Sequence, residues 1–170
     1  MLVANRSLRN WMMSDLDDLV GYANNWNIAR YLTDSFPFPY TKADGEEFIQ
    51  IAMASDKNIF RAIEVDGHAV GGIGIFPQSD IYRNNAELGY WLAEPYWNKG
   101  IMTWAVSEMV KRALGDVDIN RIYARLFGSN LASHRVLEKA GFKLEARFYG
   151  VICKNDHLED EWVFALRRSS

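Results

Sequence analysis

The chain has 170 residues, of which 49% are apolar and 14% aromatic, so it is long enough to bury a core and too apolar for a disordered segment. Its formal net charge of -3 argues against an extended nucleic-acid-binding face. The one cysteine, Cys153, excludes an intrachain disulfide framework and fits a reducing, cytoplasmic setting. We recognise neither a signal peptide nor an apolar run long enough to span a membrane, and we expect no membrane partner.

Periodicity predicts a mixed α/β fold with one central sheet, as a single domain over residues 1–170. Predicted helices have apolar residues three or four positions apart, and predicted strands alternate or form short apolar runs. In chain order, the predicted elements are a strand at 7–11, helices at 14–23, 28–32 and 41–54, strands at 58–65, 68–76 and 84–92, a helix after residue 100, a strand at 119–126, a helix at 131–140, and strands at 142–153 and 158–166. Helices and one sheet then pack as layers around a common core.

Local motifs mark several ends of these elements. Ser14 with Asp17, and Thr41 with Asp44, have the spacing of a capping box, which predicts a helix start at each pair. The dipeptide Asp66-Gly67 supplies the positive φ angles of a tight turn and predicts a hairpin between the strands on either side.

Glycines at positions 71, 72 and 74 interrupt the second strand of that hairpin. A glycine inside a strand weakens it and marks either a bulge or a close approach by another part of the molecule. The sequence leaves both explanations open.

The stretch from Glu87 to Thr103 reads Glu-Leu-Gly-Tyr-Trp-Leu-Ala-Glu-Pro-Tyr-Trp-Asn-Lys-Gly-Ile-Met-Thr and predicts a buried strand, a turn and a helix start. A helix that opens after a glycine-bearing turn exposes unpaired N–H groups at the positive end of its dipole, where phosphates bind. Lys99 and the Thr103 hydroxyl would be further donors. The pattern is neither a Walker loop nor a Gly-x-Gly-x-x-Gly loop, and one glycine at a helix start is more often only a turn.

A second block, Asn130-Leu-Ala-Ser-His-Arg-Val-Leu-Glu-Lys-Ala-Gly-Phe142, predicts a helix that ends at a glycine. The two blocks, together with Leu8-Arg-Asn-Trp11, Asn27-Ile-Ala-Arg-Tyr-Leu-Thr-Asp34 and Phe36-Pro-Phe-Pro-Tyr-Thr41, resemble the GNAT superfamily of acetyl-CoA-dependent N-acetyltransferases. The resemblance is to its branch of Rim-type, ribosomal-protein N-terminal acetyltransferases, and it covers almost the whole chain. It implies one GNAT-like domain with a central, mostly antiparallel seven-stranded sheet, flanked by helices and splayed at the cofactor site.

The resemblance implies acetyl-CoA as the acetyl donor and assigns residues to its parts. Pantetheine would lie along the strand that ends at Trp91 and Leu92, and Asn130 with Ser133 would reach the pantetheine arm near the thioester. The pyrophosphate would lie on the backbone N–H groups of the following residues: Asn98, Lys99, Gly100, Ile101, Met102 and Thr103.

Two positions depart from the pattern of the wider superfamily. Trp97 stands where Gln or Arg is usual, although tryptophan there resembles the Rim-type branch. Met102 stands where Gly or Ala is preferred, so its side chain must point into the core or it will crowd the phosphates.

The implied reaction moves an acetyl group from a thioester to an amine, and only the neutral amine attacks. By position on its strand, Glu87 is the candidate base; the alternative is a carboxylate that merely pairs with an arginine such as Arg125. A backbone N–H near Leu92 would stabilise the oxyanion. Ser133, or less directly Tyr149, would protonate the leaving thiolate, whereas Ser133 could instead only complete the first turn of its helix.

The expected acceptor is a primary amine, either a protein or peptide N-terminus or a small amine. An α-amino group needs less deprotonation than a lysine because its pKa lies near 8. Four aromatic residues would wall the acceptor slot or simply pack: Trp26, Tyr31, Phe36 and Phe38. We expect no metal, since the histidines share no ligand spacing with Cys153. A homodimer follows from family analogy only, and a non-catalytic acyl-CoA-binding sensor or scaffold is the alternative function.

Overall fold

The structure, a computed structural model, describes residues 5–116 and 118–168. Within these ranges the elements follow the predicted order. The strands are β1 (Arg6–Arg9), β2 (Ile59–Val65), β3 (His68–Pro77), β4 (Asn85–Leu92), β5 (Arg121–Phe127), β6 (Lys143–Lys154) and β7 (His157–Arg167). The helices are α1 (Leu16–Ala23), α2 (Trp26–Ala29), α3 (Lys42–Ala54), α4 (Ile101–Asp116) and α5 (Leu131–Lys139), with 3₁₀ turns at Met13–Asp15, Asp80–Tyr82 and Glu94–Tyr96.

The seven strands form one sheet in the order β1-β2-β3-β4-β5-β7-β6. The pairs β1–β2, β5–β7 and β6–β7 are antiparallel, whereas β4 and β5 run parallel. The parallel register joins Asn85, Ala86 and Glu87 to residues 121–123, although both strands continue beyond it. The mostly antiparallel, seven-stranded sheet with flanking helices confirms the predicted fold class, and the short β4–β5 ladder is the predicted splay.

The chain forms two compact units, and β3 and β4 each contribute residues to both. Of the described residues, the first unit comprises 5–74 and 90–101. Its core forms where α1 and α3 pack on β2 and the start of β3. The buried cluster consists of Trp11, Leu16, Leu19, Ala23, Tyr40, Ile49, Ala62 and Ala69.

Of the described residues, the second unit comprises 75–89, 102–116 and 118–168. Its helix α4 carries the apolar stripe that the sequence predicts at Met102, Val106, Met109, Val110, Ala113 and Leu114. The first five of these are buried, together with Ala105, whereas Leu114 is half-buried. On β5 and β7, a further cluster packs Tyr123 against Val163 and Ala165.

One predicted capping box is confirmed and the other is wrong. Thr41 caps α3, since its hydroxyl accepts from Asp44 N while the Asp44 carboxylate accepts from Thr41 N. Before α1, however, the carboxylate that caps the chain belongs to the buried Asp15, which accepts from Met12 N at 2.9 Å. Arg9 donates to both Asp15 oxygens at 2.8 Å. The ion pair with Arg9 on β1 therefore determines that Asp15 is the capping residue.

Candidate active site

The end of β4 is fitted closely against β3 within the first unit. A side chain at Gly71 would place its Cβ 2.5 Å from the Trp91 carbonyl oxygen, and one at Gly72 would lie 2.7 Å from Trp91 Nε1. Ala93 N donates to Val70 O at 2.8 Å, directly after the strand. Close approach, rather than a bulge, therefore explains these two glycines.

The residues that follow form an exposed turn, residues 97–100, which we call the phosphate turn. Asn98 and Gly100 are in the left-handed region, with φ of 60° and 73°. Apart from Gly100 and its two chain neighbours, no atom lies within 4 Å of the position that a Gly100 Cβ would occupy, so the space over the turn is open. Since α4 begins at Ile101, the first N–H groups of that helix have no intrahelical partner and lie at the positive end of its dipole.

Trp97 anchors the phosphate turn to the end of β4. Its Nε1 donates to the Leu92 carbonyl oxygen at 2.7 Å, while its backbone N donates to Glu94 O at 3.1 Å. The sequence marked this residue only as a departure from the superfamily pattern. An indole N–H five residues after a strand end is a signal too weak to identify an anchor without coordinates.

At the start of α4, the side chain of Met102 is buried, with 6% of the residue exposed. Met102 belongs to the apolar stripe of α4. Its side chain therefore points into the core and does not crowd the phosphates. Thr103 is half-buried, and its backbone carbonyl accepts from the Ser107 hydroxyl at 2.9 Å. The residues present therefore fit a pyrophosphate, because neither Met102 nor a side chain at position 100 occupies the open space.

In the second unit, Asn130 caps α5. Its Oδ1 accepts from Ser133 N at 3.3 Å, and its Nδ2 donates to Ser133 Oγ at 3.2 Å. The structure thus brings the predicted pair Asn130 and Ser133 together, in a reciprocal capping arrangement. Both residues are half-buried, so a ligand can still contact either side chain.

Glu87, also in the second unit, is the predicted base and lies among polar side chains of β5. Its Oε1 is 3.7 Å from Arg125 Nε, and Tyr123 Oη donates to its Oε2 at 3.4 Å. Arg125 Nη1 is also 3.9 Å from Glu161 on β7. With 34% of its side chain exposed, the Glu87 carboxylate remains open to solvent. The ion pair between Glu87 and Arg125, which the sequence offered as the alternative to a catalytic role, is present. At 3.7 Å between Oε1 and Nε, it still permits proton exchange between the carboxylate and water.

Sequence reasoning missed Tyr123 as a neighbour of Glu87. Burial, and then the charge of Glu87, raises the pKa of Tyr123, so its hydroxyl stays protonated and can donate to the carboxylate. The register pairs Glu87 with Tyr123 directly across the parallel ladder. Strand alternation alone gives no register between β4 and β5, and only that register would have identified the pair.

The remaining predicted residues fall into two groups. Tyr149, on the edge strand β6, is 77% exposed. In the first unit, Trp26 and Phe38 are exposed, and their ring centres lie 5.5 Å apart with the planes tilted by 52°. Phe36 instead packs on the core, with its ring centre 5.7 Å from that of Trp91. Tyr31 is half-buried under Arg30, whose guanidinium lies 4.6 Å from the ring centre. Phe36 thus packs, while Trp26 and Phe38 present open aromatic surface.

Among the described residues, no group of three or more His, Cys, Asp or Glu side chains is placed to hold a metal ion. Nor does any helix in residues 5–116 or 118–168 have the length and apolar character needed to cross a bilayer.

A splayed sheet, an open backbone turn and a helix start leave main-chain N–H groups available to a phosphate-bearing ligand. Residues 6–143 match the acetyltransferase (GNAT) domain family, and the chain belongs to that family. It is therefore an acyltransferase that uses acetyl-CoA as co-substrate.

Individual proteins resemble the chain in sequence or in fold. The chain is 25% identical over 165 residues to the uncharacterized N-acetyltransferase p20 of Bacillus licheniformis, covering 94% of this chain and 91% of that protein. Its fold is similar to that of RimL, a ribosomal L7/L12 alpha-N-protein acetyltransferase solved with coenzyme A, with a TM-score of 0.85, 19% identity and 98% and 96% of the two chains covered. The microcin C7 self-immunity acetyltransferase MccE, solved with acetyl-CoA and AMP, gives a TM-score of 0.84 at 20% identity over 96% and 92% of the chains.

Proposed function

We propose that the acceptor is a primary amine at the N-terminus of a protein or peptide, with small amines as the next candidates. The observation that carries this proposal is the exposed aromatic pair of Trp26 and Phe38, 39% and 48% exposed, which offers an open surface to a chain end rather than a closed pocket. The described substrate of RimL, a protein α-amine, supports the same class. An α-amine also has a pKa near 8, so more of it is neutral than of a lysine.

In the proposed mechanism, pantetheine lies along Trp91 and Leu92, and the pyrophosphate is held by the N–H groups of residues 98–103. Asn130 and Ser133 contact the pantetheine arm. The open Gly100 and the buried Met102 support the phosphate assignment. The hydrogen bond between Asn130 and Ser133 supports their acting as a pair.

The chemistry is a direct transfer. The neutral amine attacks the thioester carbonyl, a C–N bond forms, and the C–S bond breaks. Glu87 takes the proton that the ammonium loses, directly or through water, and a backbone N–H near Leu92 stabilises the oxyanion. The attacking nitrogen then loses its second proton through water, and Ser133 or Tyr149 relays an equivalent proton to the thiolate of CoA. Solvent access to Glu87 supports a water relay.

The experiment that tests this proposal has two stages. A thermal-shift titration with acetyl-CoA, against a free adenine nucleotide, should stabilise the folded protein by about 2.7 kcal/mol at a hundred times Kd. Release of CoA thiol is then followed with peptides that carry a free N-terminus and with matched peptides whose N-terminus is already acetylated. Turnover of the free set alone supports the proposal. Turnover of a polyamine in the absence of peptide turnover would move the acceptor to the small amines.

Cellular location and assembly are separate proposals. We propose a cytoplasmic enzyme, supported by the use of one cysteine, which is exposed as a thiol. A homodimer rests on family analogy, and light scattering of the purified protein tests it.

A further inference from the structure

A carboxylate joins the segment before the phosphate turn to the short helix that carries Trp26. Glu94 opens the 3₁₀ turn Glu94–Tyr96, and its Oε2 accepts from Asn25 Nδ2 at 2.7 Å. Asn27 Nδ2 lies 3.3 Å from Glu94 Oε1 and 3.2 Å from Oε2. The two donors flank Trp26 in the sequence, so one carboxylate holds both sides of that residue. All of these residues lie within the first unit.

Asn25 has two roles in this arrangement. Its Oδ1 accepts from Asn27 N at 2.8 Å and so caps α2, while its Nδ2 is the donor to Glu94. The hydrogen bonds from Asn25 and Asn27 lower the pKa of Glu94, which keeps the carboxylate charged. Hydrogen bonds to an ionised acceptor are stronger than neutral ones. The start of α2 is therefore tied to the charge at position 94.

The chain between Glu94 and the phosphate turn is itself tightly bonded. Trp97 is held at both its backbone and its indole, as described above. Tyr96 meets Tyr22 of α1 edge-on at 6.0 Å, and the hydrogen bond with Tyr22, together with burial, raises the pKa of Tyr96 to about 12. Lys99 Nζ lies 5.4 Å from the centre of the Tyr96 ring. Contacts of Tyr96 and Trp97 therefore connect the phosphate turn to the segment that carries Glu94.

We infer that Glu94 is a positioning residue that couples occupancy of the phosphate turn to the order of α2, so that bound CoA fixes Trp26 for the acceptor. The inference rests on the proposed function, which places the pyrophosphate on this turn and the acceptor at Trp26. A ligand shifts an equilibrium only through contacts that differ between the two states. Here those contacts are the hydrogen bonds of Asn25 and Asn27, which hold α2 only when Glu94 is in place.

Hydrogen–deuterium exchange over residues 26–32 measures the coupling directly. Five backbone N–H groups in this segment donate to carbonyls of the same segment or to that of Asn25, and they exchange when α2 opens: those of Ile28, Ala29, Arg30, Tyr31 and Leu32. Free coenzyme A at saturating concentration is the probe. We expect it to slow their exchange about fivefold or more in the native sequence, the low end of typical coupling between sites. Glu94→Ala and Asn27→Ala should each lose that slowing, and their double variant should lose no more.

The measured quantity is the ratio of the exchange rates without and with CoA, not the exchange rate itself. A Glu94 with a merely structural role would loosen α2 equally with and without CoA and leave the ratio unchanged. Glu47→Ala, which removes an exposed glutamate from α3, is the matched control and should keep the full effect. Glu94→Gln keeps one acceptor oxygen without the charge and should keep part of it.

Two results would overturn the inference. One is CoA-dependent slowing that persists in Glu94→Ala. The other is a native protein that binds CoA, by calorimetry, without any slowing in residues 26–32. If calorimetry shows no CoA binding to the native protein, the proposed function fails and the inference falls with it, so the two failures are distinguishable.

Discussion

The starts of α4 and α5 differ in what their unpaired backbone N–H groups can bind. Each helix begins with N–H groups that have no partner in the helix. At α5, the Asn130 side chain accepts from Ser133 N, so the chain satisfies its own donor. At α4, the exposed turn before Ile101 has two left-handed residues, Asn98 and Gly100, and open space above it. One start is completed by a side chain, whereas the other leaves its backbone available to an anion.

This difference gives the two sequence blocks different roles, one in ligand binding and one in stability. The first block supplies a binding surface made of main chain, which depends on backbone conformation more than on side-chain identity. The second block supplies a helix whose first turn depends on two particular side chains. Substitutions at the two starts should therefore fail differently, the first in ligand binding and the second in stability.

The largest expected effect is at Gly100. Gly100→Glu should strongly weaken CoA binding, because a carboxylate about 4 Å from a phosphate costs roughly 1–4 kcal/mol per charge pair, or about five- to a thousandfold in Kd. The matched control is Gly67→Glu in the β2–β3 turn, which has φ of 89° and equally open space. Both variants should lose about 1–2 kcal/mol of stability from the left-handed backbone. Calorimetry with CoA should separate them, and retained binding in Gly100→Glu would show that the phosphates lie elsewhere.

Glu87→Gln tests the chemistry apart from either helix start. We expect kcat to fall about 10²- to 10⁴-fold, as for the loss of a general base, while the Kd for CoA stays unchanged. Glu161→Gln is the control, since Glu161 is the other carboxylate near Arg125, at 3.9 Å. A non-catalytic acyl-CoA-binding module would be indifferent to both changes. Unchanged kcat in Glu87→Gln would assign the base to another residue.

The pair Asn130→Ala and Ser133→Ala tests whether the α5 start is only a cap. Asn130→Ala removes the acceptor for Ser133 N and should lower the free energy of unfolding by about 1 kcal/mol. Ser133→Ala keeps that bond and should cost much less stability, yet it should raise the KM for acetyl-CoA or lower kcat if the hydroxyl contacts the ligand. Urea denaturation and steady-state kinetics on both variants measure the two effects. Native kinetics in Ser133→Ala would make the second block purely structural.

The sequence predicts features that depend on neighbours in the chain and misses those that depend on register or distant partners. The Asp66-Gly67 turn is confirmed, with φ of 51° and 89°, because two adjacent residues determine it. The Ser14–Asp17 box is wrong because Arg9, on another element, pairs with the buried Asp15.

The same limit applies at the site. The turn around Gly100 follows from a local motif, and the structure places it where the sequence predicts. The hydrogen bond from Tyr123 to Glu87 follows only from the β4–β5 register, and the tie from Glu94 to Asn25 joins residues 69 positions apart. Side-chain partners of this kind have no periodic signal along the chain.

The smallest expected effect concerns His134 on α5, and it tests the role of that helix in stability. Its Nε2 lies 3.2 Å from Phe127 O, its ring stacks on Trp162 at 4.5 Å, and burial lowers its pKa from the usual 6.5. As pH falls below about 6.5, the unfolded chain takes up a proton that the folded protein still refuses, so stability falls until the folded pKa is reached. Urea denaturation at pH 7.5, 6.5 and 5.5 should show this loss in the native chain and a shallower one in His134→Gln, whose amide can still donate to Phe127 O. Equal slopes in the two proteins would mean that His134 does not contribute. Because the effect acts through packing of α5, the Kd for CoA should differ little between the two proteins at each pH, which is the behaviour expected of a helix completed by its own side chains.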